Sequence, residues 1–247
     1  MLQENACRYQ KEVQIVELAI DTATDTASVA ISREGKTITE ISWYASQNHT
    51  VNLIPNALHL FKLTGEEISK IDAVFVSIGP GSFNGLRAGI SAAKGLALSL
   101  NIRLIGVGTL EVEAYPYADT GLPVCVVQNA GRGEIATATY RMSDTGWRKL
   151  IEEHITTLDV LCKAIDSKTI VCGQFSSFPT SQPDPAQLIA ERLGDLAVIR
   201  ESTLRRAGFL AELGWSRLER GESDDIATLQ PLYLRRPAIT KPREKKR

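Results

Sequence analysis

The stretch IDTATDTASVAI, residues 20–31, sets a carboxylate, Asp21, at the end of one apolar run, then Thr22 and Thr24, then a second apolar run. A strand, a hydroxyl-rich turn and a returning strand can turn backbone N–H groups and threonine hydroxyls toward a phosphate, with Asp21 on a metal ion or a water. The same Asp and Thr can instead satisfy the backbone of their own turn. Ala23 weighs against phosphate, because close backbone approach favours glycine there. A second candidate is GPGSFNGLRAG, residues 79–89, in which four glycines and a proline fall within eleven residues. It follows an apolar run and precedes a helical pattern, a unit that can seat an anion on the helix N-terminus. It lacks the Gly-Lys-Ser/Thr ending of a P-loop and the spacing of GxGxxG. Ser82 or Asn84 can cap the helix instead, and Ala88, Gly89, Ala92, Ala93, Gly95 and Ala97 suit the close approach of another helix.

Other chemistries find little support. His49, His59 and His154 offer neither HxxxH nor HExxH, and no GxSxG nucleophile elbow occurs. No metal site is expected and no catalytic residue is assigned. Glu111 and Glu113 read as the solvated face of a helix. Cys7, Cys125, Cys162 and Cys172 contain no CxxC pair; Cys125 and Cys172 sit in apolar runs and read as small buried hydrophobes, as in a reducing compartment.

The elements that must position these residues follow from periodicity. Residues 13–20 read as a buried strand ending at Asp21, 27–32 as a second and 36–43 as a third, joined by tight turns into a meander. Residues 49–63 carry apolar residues near helical spacing, with Pro55 predicting a kink or a late start. Residues 74–78 read as a central strand, 86–100 as a helix and 103–107 as a strand, with Thr109 capping the next helix. The second half repeats the plan: strands 124–127, 134–140 and 147–154, helix 158–164, strand 169–172 ending in Gly173, a proline-rich loop 179–185, and helices 186–193 and 204–219. The expected division is an N-terminal extension 1–13, a first subdomain 14–118, a second 119–236 and a basic tail 237–247, with the boundary near residues 117–123.

Bulk properties agree with a globular protein: 43% hydrophobic and 23% charged residues permit a sizeable core. A net charge of -1 makes the whole chain no electrostatic trap for nucleic acid. The first residues are polar without an apolar core, and no apolar run reaches the roughly 18 residues of a membrane span. The expected location is cytoplasmic, with no membrane partner.

LAIDTATDTASVAI, HTVNLIP, SIGPGSFNGLRAGISAAKGLAL and IGVGTLEVEA occur in that order, and QPLYLRR comes near the end. Together they resemble the TsaB (YeaZ) family. The resemblance spans most of residues 18–114 and is thin over 141–228. It implies an α/β, actin-like ATPase or sugar-kinase (ribonuclease H-like) fold of two related β-β-β-α-β subdomains. It implies a non-catalytic scaffold or activator subunit that binds a TsaD-like catalytic subunit, with a TsaE-like ATPase completing the complex. Such complexes make N6-threonylcarbamoyladenosine at position 37 of tRNA. ATP or ADP and a metal are then expected in the partner, none in this chain, and tRNA is met through the complex. In the family the glycine-rich turn (Gly79, Pro80, Gly81, Ser82, Gly85) leads into a helix that packs on a matching helix of the partner, joined by the helix carrying HTVNLIP. This implies an interface of His49, Leu53, Ile54, Leu58, Phe83, Leu86, Arg87, Gly89, Ile90, Ala93 and Leu96, usable for a homodimer in isolation. It leaves Asp21, Thr22 and Thr24 as a vestigial phosphate loop. The chain departs from the family pattern at Asn129 and Gly131, where Asp and Arg are common, and at Asn84, where Thr is common. The rival readings are an autonomous actin-like ATPase or small-molecule kinase, using Asp21 and two phosphate loops, and a peptidase for which no metal or nucleophile is found. The tail, with Lys241, Arg243, Lys245, Lys246 and Arg247, is expected to be a solvated arm that does not carry the main tRNA affinity.

Overall fold

The computed structural model describes residues 14–45, 49–180, 183–202 and 206–235. The expected extension 1–13, with Cys7, and the tail 237–247 lie outside the described residues.

Val16–Asp21 (β1), Thr26–Arg33 (β2) and Lys36–Tyr44 (β3) form the expected antiparallel meander. His49–Thr64 (α1) leads to Ala73–Gly79 (β4), which pairs parallel with β1. Phe83–Leu100 (α2) leads to Arg103–Gly108 (β5), parallel with β4, followed by Thr109–Ala114 (α3). Every residue of β1 is buried, as a strand covered on both faces must be. Its even-numbered positions Val16, Leu18 and Ile20 face one core with α1 and α2, while Ala19 faces another.

The second half follows the same order. Val124–Gly131 (β6), Glu134–Ser143 (β7) and Gly146–Thr156 (β8) form a meander. Leu158–Ala164 (α4) leads to Thr169–Gly173 (β9), parallel with β6. Pro185–Leu193 (α5) leads to Ala197–Glu201 (β10), parallel with β9, and Ala207–Glu219 (α6) ends the repeat. The two sheets run β3-β2-β1-β4-β5 and β8-β7-β6-β9-β10. This duplicated architecture is the actin-like, sugar-kinase-type α/β fold.

Three expectations need correction. Periodicity does not predict the strand β10, because AVIRE is short and ends in two exposed charged residues at the sheet edge. Thr109 does not cap α3: it lies inside the helix, Gly108 precedes it, and no side-chain cap bond forms. The helix α1 already begins at His49 and includes Pro55, so the late start is not seen. Pro55 and Val51 are both exposed, so the carbonyl that Pro55 leaves unpaired can be met by water.

The repeats also exchange their last helices. From the second half, α6 covers the first sheet, packing Ala207, Leu210, Ala211 and Leu213 against Ala30, Phe75 and Ile105. From the first half, α3 packs Leu110 and Ala114 against Val124, Val126 and Ala138 of the second sheet. Glu40 on β3 steers α6: its carboxylate accepts the Gly208 N–H at 3.0 Å and pairs with Arg206 at 2.8 Å. An anion there also meets the positive end of the helix dipole. Arg217 on α6 then donates to the Gly106 carbonyl and to Glu111 on α3, both at 2.6 Å. Tyr115 joins the halves as well, meeting Trp147 of β8 and Phe209 of α6 edge to face.

Burial raises the Glu111 carboxyl above its usual range, and Arg217 opposes the rise. Arg217→Met should therefore strand a buried carboxylate and cost about 2 kcal/mol near neutral pH. Adding Glu111→Gln should recover part of that loss, read as the urea midpoint. Glu17 of β1 offers a second test. Burial pushes its carboxyl up to about 7, against hydrogen bonds from the Ser32 hydroxyl and the Glu34 and Gly35 N–H groups. A carboxyl whose folded pKa lies above its unfolded value of 4.5 contributes stability at low pH, and that contribution is lost as pH rises through about 7. Wild type should thus lose stability relative to Glu17→Gln between about pH 5 and about pH 8, by up to roughly 3 kcal/mol. Parallel denaturation curves for the two proteins across that window would refute the assignment.

Candidate functional site

Strand β1 ends in Asp21, and the turn after it meets the glycine-rich turn after β4. Both turns sit where the parallel strands β1 and β4 end, the usual place for a site in such sheets. The Asp21 Oδ1 accepts the Ala23 N–H at 3.0 Å and the hydroxyl of Ser77, on β4, at 2.7 Å. Thr22 donates its hydroxyl to the Gly85 carbonyl at 2.7 Å, and Thr24 donates to its neighbour Thr26 at 2.9 Å. The Ser82 N–H donates to the Ala23 carbonyl at 2.7 Å. Ser82 caps α2, its hydroxyl accepting the Gly85 N–H at 3.3 Å, and Asn84 stands inside the helix. The two turns are therefore zipped to each other. A Cβ at Gly81 would lie 2.2 Å from the Ala23 carbonyl oxygen, so the glycine is required by the chain's own neighbouring turn. The hydroxyls of Thr22 and Thr24 and the N–H groups of Ala23, Ser82 and Gly85 are engaged inside the chain, although these are the groups a phosphate cradle would present.

Beside this zipper a cavity of about 440 Å³ opens between the halves. Its walls are residues 23–25, 80–82, 128–130 and 232–235, with Gln174 and Ser177 opposite. The buried Gln128 Oε1 on this wall has no hydrogen-bond partner. Asn129 accepts the Gly131 N–H at 2.8 Å and donates to the Ser177 carbonyl at 3.3 Å. Gly131 and Arg132 both take positive φ in the hairpin there, 75° and 59°. Among the described residues no group of three or more His, Cys, Asp or Glu could hold a metal ion. Glu111 and Glu113 are buried rather than on a solvated helix face.

The residues named for a partner interface divide in two. Leu53, Leu86, Gly89, Ile90 and Ala93 point inward, and all but Gly89 join the first core. A Cβ added at Gly89 would lie 2.2 Å from the Thr22 hydroxyl oxygen, so at that position the helix rests on its own chain. Spacing identifies a stripe of small and apolar residues without saying which way it faces. Ile54, Leu58 and Phe83 are 43%, 50% and 39% exposed, Arg87 is exposed and Leu96 is half-buried. His49 opens α1, and its side chain lies outside the described residues. The exposed face adds Val51, which with Ile54 and Leu58 makes an i, i+3, i+7 stripe, and Leu98 on α2. It also adds Tyr233, whose ring stacks on Phe83 with centroids 5.4 Å apart. Spacing signals the α1 stripe; no sequence signal brings Tyr233 to α2.

Among the described residues no helix is long and apolar enough to cross a membrane. Residues 43–181 match the family described as "TsaD: tRNA N6-adenosine threonylcarbamoyltransferase". The Bacillus subtilis "tRNA threonylcarbamoyladenosine biosynthesis protein TsaB" is 30% identical over 226 residues, 88% of this chain and 93% of its own. The Escherichia coli protein of the same name is 35% identical over 131 residues, covering 52% and 56%. The structure of YeaZ from Pseudomonas aeruginosa superposes with a TM-score of 0.74 at 25% identity, over 89% of this chain and all of that one. With 30% identity along 93% of a relative and the same fold over 89% of its own length, the chain belongs to the TsaB (YeaZ) family.

Proposed function

We propose that this protein is a scaffold and activator subunit in the formation of threonylcarbamoyladenosine in tRNA, without catalysis of its own. It docks a TsaD-like catalytic subunit on the outer face of α1 and α2. A TsaE-like ATPase completes the assembly, ATP or ADP and the metal belong to the partner, and tRNA is bound by the complex in the cytoplasm. The observation that carries the reading is the apolar outer face itself. Val51, Ile54 and Leu58 on α1 and Phe83 and Leu98 on α2 lie on the same side of the first sheet and are left to solvent. A face of this kind marks an interaction surface. The names of the Bacillus subtilis and Escherichia coli relatives support the pathway. Alone, the chain closes the same face on a second copy, as a symmetric dimer.

The second reading, an autonomous ATPase or kinase, rests on the cavity between the halves, whose size suits a small ligand. The engaged turn groups argue against it. Nucleotide turnover by the isolated protein, abolished in Asp21→Ala, would establish that reading in place of the first.

Two substitutions separate docking from folding. Leu58→Asp changes an exposed position, so its effect on stability should stay within about 0.5 kcal/mol. Binding to the TsaD-like protein in co-purification and titration should fall at least about tenfold, 1.4 kcal/mol, and self-association in sedimentation should fall with it. Gly89→Leu forces a side chain into Thr22 and should instead lower the melting temperature sharply. Normal docking by Leu58→Asp, or normal melting of Gly89→Leu, would contradict this arrangement of the helices.

A further inference from the structure

After α6 the chain returns along the first half and crosses to the second. The Asp224 N–H bonds the Leu104 carbonyl at 2.8 Å, and the Asp224 carboxylate accepts the Gly106 N–H at 2.7 Å, along the edge strand β5. Leu229 enters the first core. The Leu232 N–H then bonds the Ile78 carbonyl at 2.7 Å, just before the glycine-rich turn. Tyr233 lies on Phe83, its ring tilted by 27°, and its hydroxyl accepts from Arg87 Nε at 3.2 Å. The Arg87 guanidinium sits 3.8 Å over the same Phe83 ring. Two residues later Arg235 donates to the Ala130 carbonyl and pairs with Glu134, both on the β6–β7 hairpin of the other half.

One short segment thus touches the outer start of α2, the wall of the cavity and the second half. Phe83 and Arg87 are otherwise exposed side chains at a helix start, with several rotamers open to them. The stack and the hydrogen bond from Arg87 select one arrangement, and the ordering is done before any partner arrives. Binding to a pre-ordered surface loses less conformational entropy.

We propose that residues 229–235 form a strap that positions the docking face. Tyr233 holds Phe83 and Arg87 in the arrangement the partner meets, and Arg235 makes that arrangement depend on the second half. Tyr233 and Arg235 are positioning residues, and the inference rests on the docking surface proposed above. Because coupling is reciprocal, partner binding must also tighten the strap against the β6–β7 hairpin.

The test uses the full chain and the TsaD-like protein, with three variants. Tyr233→Ala should raise the dissociation constant about tenfold, while Tyr233→Phe, which keeps the stack, should stay within about threefold of wild type. Arg235→Ala is made on the far side of the strap, at an ion pair with the other half, and should raise it about threefold. In the free protein, amide hydrogen exchange over residues 85–90 should quicken in both alanine variants, while that of β1 and β4 stays unchanged. A mere loss of contact area at Tyr233 would not move the exchange, and would not respond to Arg235. Unchanged exchange over residues 85–90, or partner affinity indifferent to Arg235→Ala, overturns the strap. Failure of the wild-type protein to bind the TsaD-like protein at all overturns the functional reading instead, and the exchange then reports separately whether the strap orders α2.

Discussion

The hold of Glu40 on the start of α6 is the interaction on which much of the rest depends. A carboxylate on β3 accepts a helix N–H and pairs with the residue before the helix. This fastens the last helix of the second repeat to the sheet of the first. The first repeat returns the exchange through α3, and Arg217 bolts the two helices to each other. Each half thus contributes part of the other's core. The cavity lies between them, and the segment after α6 begins on the first half before it reaches Ile78 and Glu134.

The same packing explains what the glycine-rich turn is for. In a phosphate-binding loop, glycines bring N–H groups up to a ligand. Here Gly81 brings one turn onto another, with Ser82 bonded to Ala23, and Gly89 lets α2 lie on Thr22. The backbone closeness is internal, and its consequence is external: α2 is pressed onto the sheet with Leu86, Ile90 and Ala93 inward, leaving Phe83, Arg87 and Leu98 outward. The exposed apolar face of α2 is a by-product of how tightly the inner face packs. At the outer start of the same helix Tyr233 reaches Phe83.

Much of the fold was legible in the sequence. The strands of both meanders, α4, α5 and the helix after the glycine-rich turn were placed by periodicity, and the duplicated order followed from them. What was lost was lost for identifiable reasons. The strand β10 is a short edge strand ending in Arg200 and Glu201, whose pattern does not differ from that of a loop. Thr109 has the residue type of a cap, but the turn of the chain at Gly108 puts it one position too far along. Glu111 and Glu113 look like a solvated face until α3 is known to be buried between two sheets. The interface implied by the family resemblance includes residues that are inward here, Leu53, Leu86, Ile90 and Ala93, and residues that are outward, Ile54, Leu58 and Phe83, because a motif match does not say which way each side chain faces.

The sequence by itself determined most of the strands and helices, that the plan is repeated, and that residues 18–114 carry the family pattern, because these depend on local spacing and on residue type. The tertiary structure alone decided that the two repeats exchange α3 and α6, that Asp21, Thr22 and Ala23 bond within their own chain, and that Tyr233 reaches Arg87 across 146 positions of sequence. These are contacts between segments distant in sequence. No local periodicity encodes them, and they are fixed only when the sheets, helices and returning C-terminal segment are packed together and each buried polar group must find its partner.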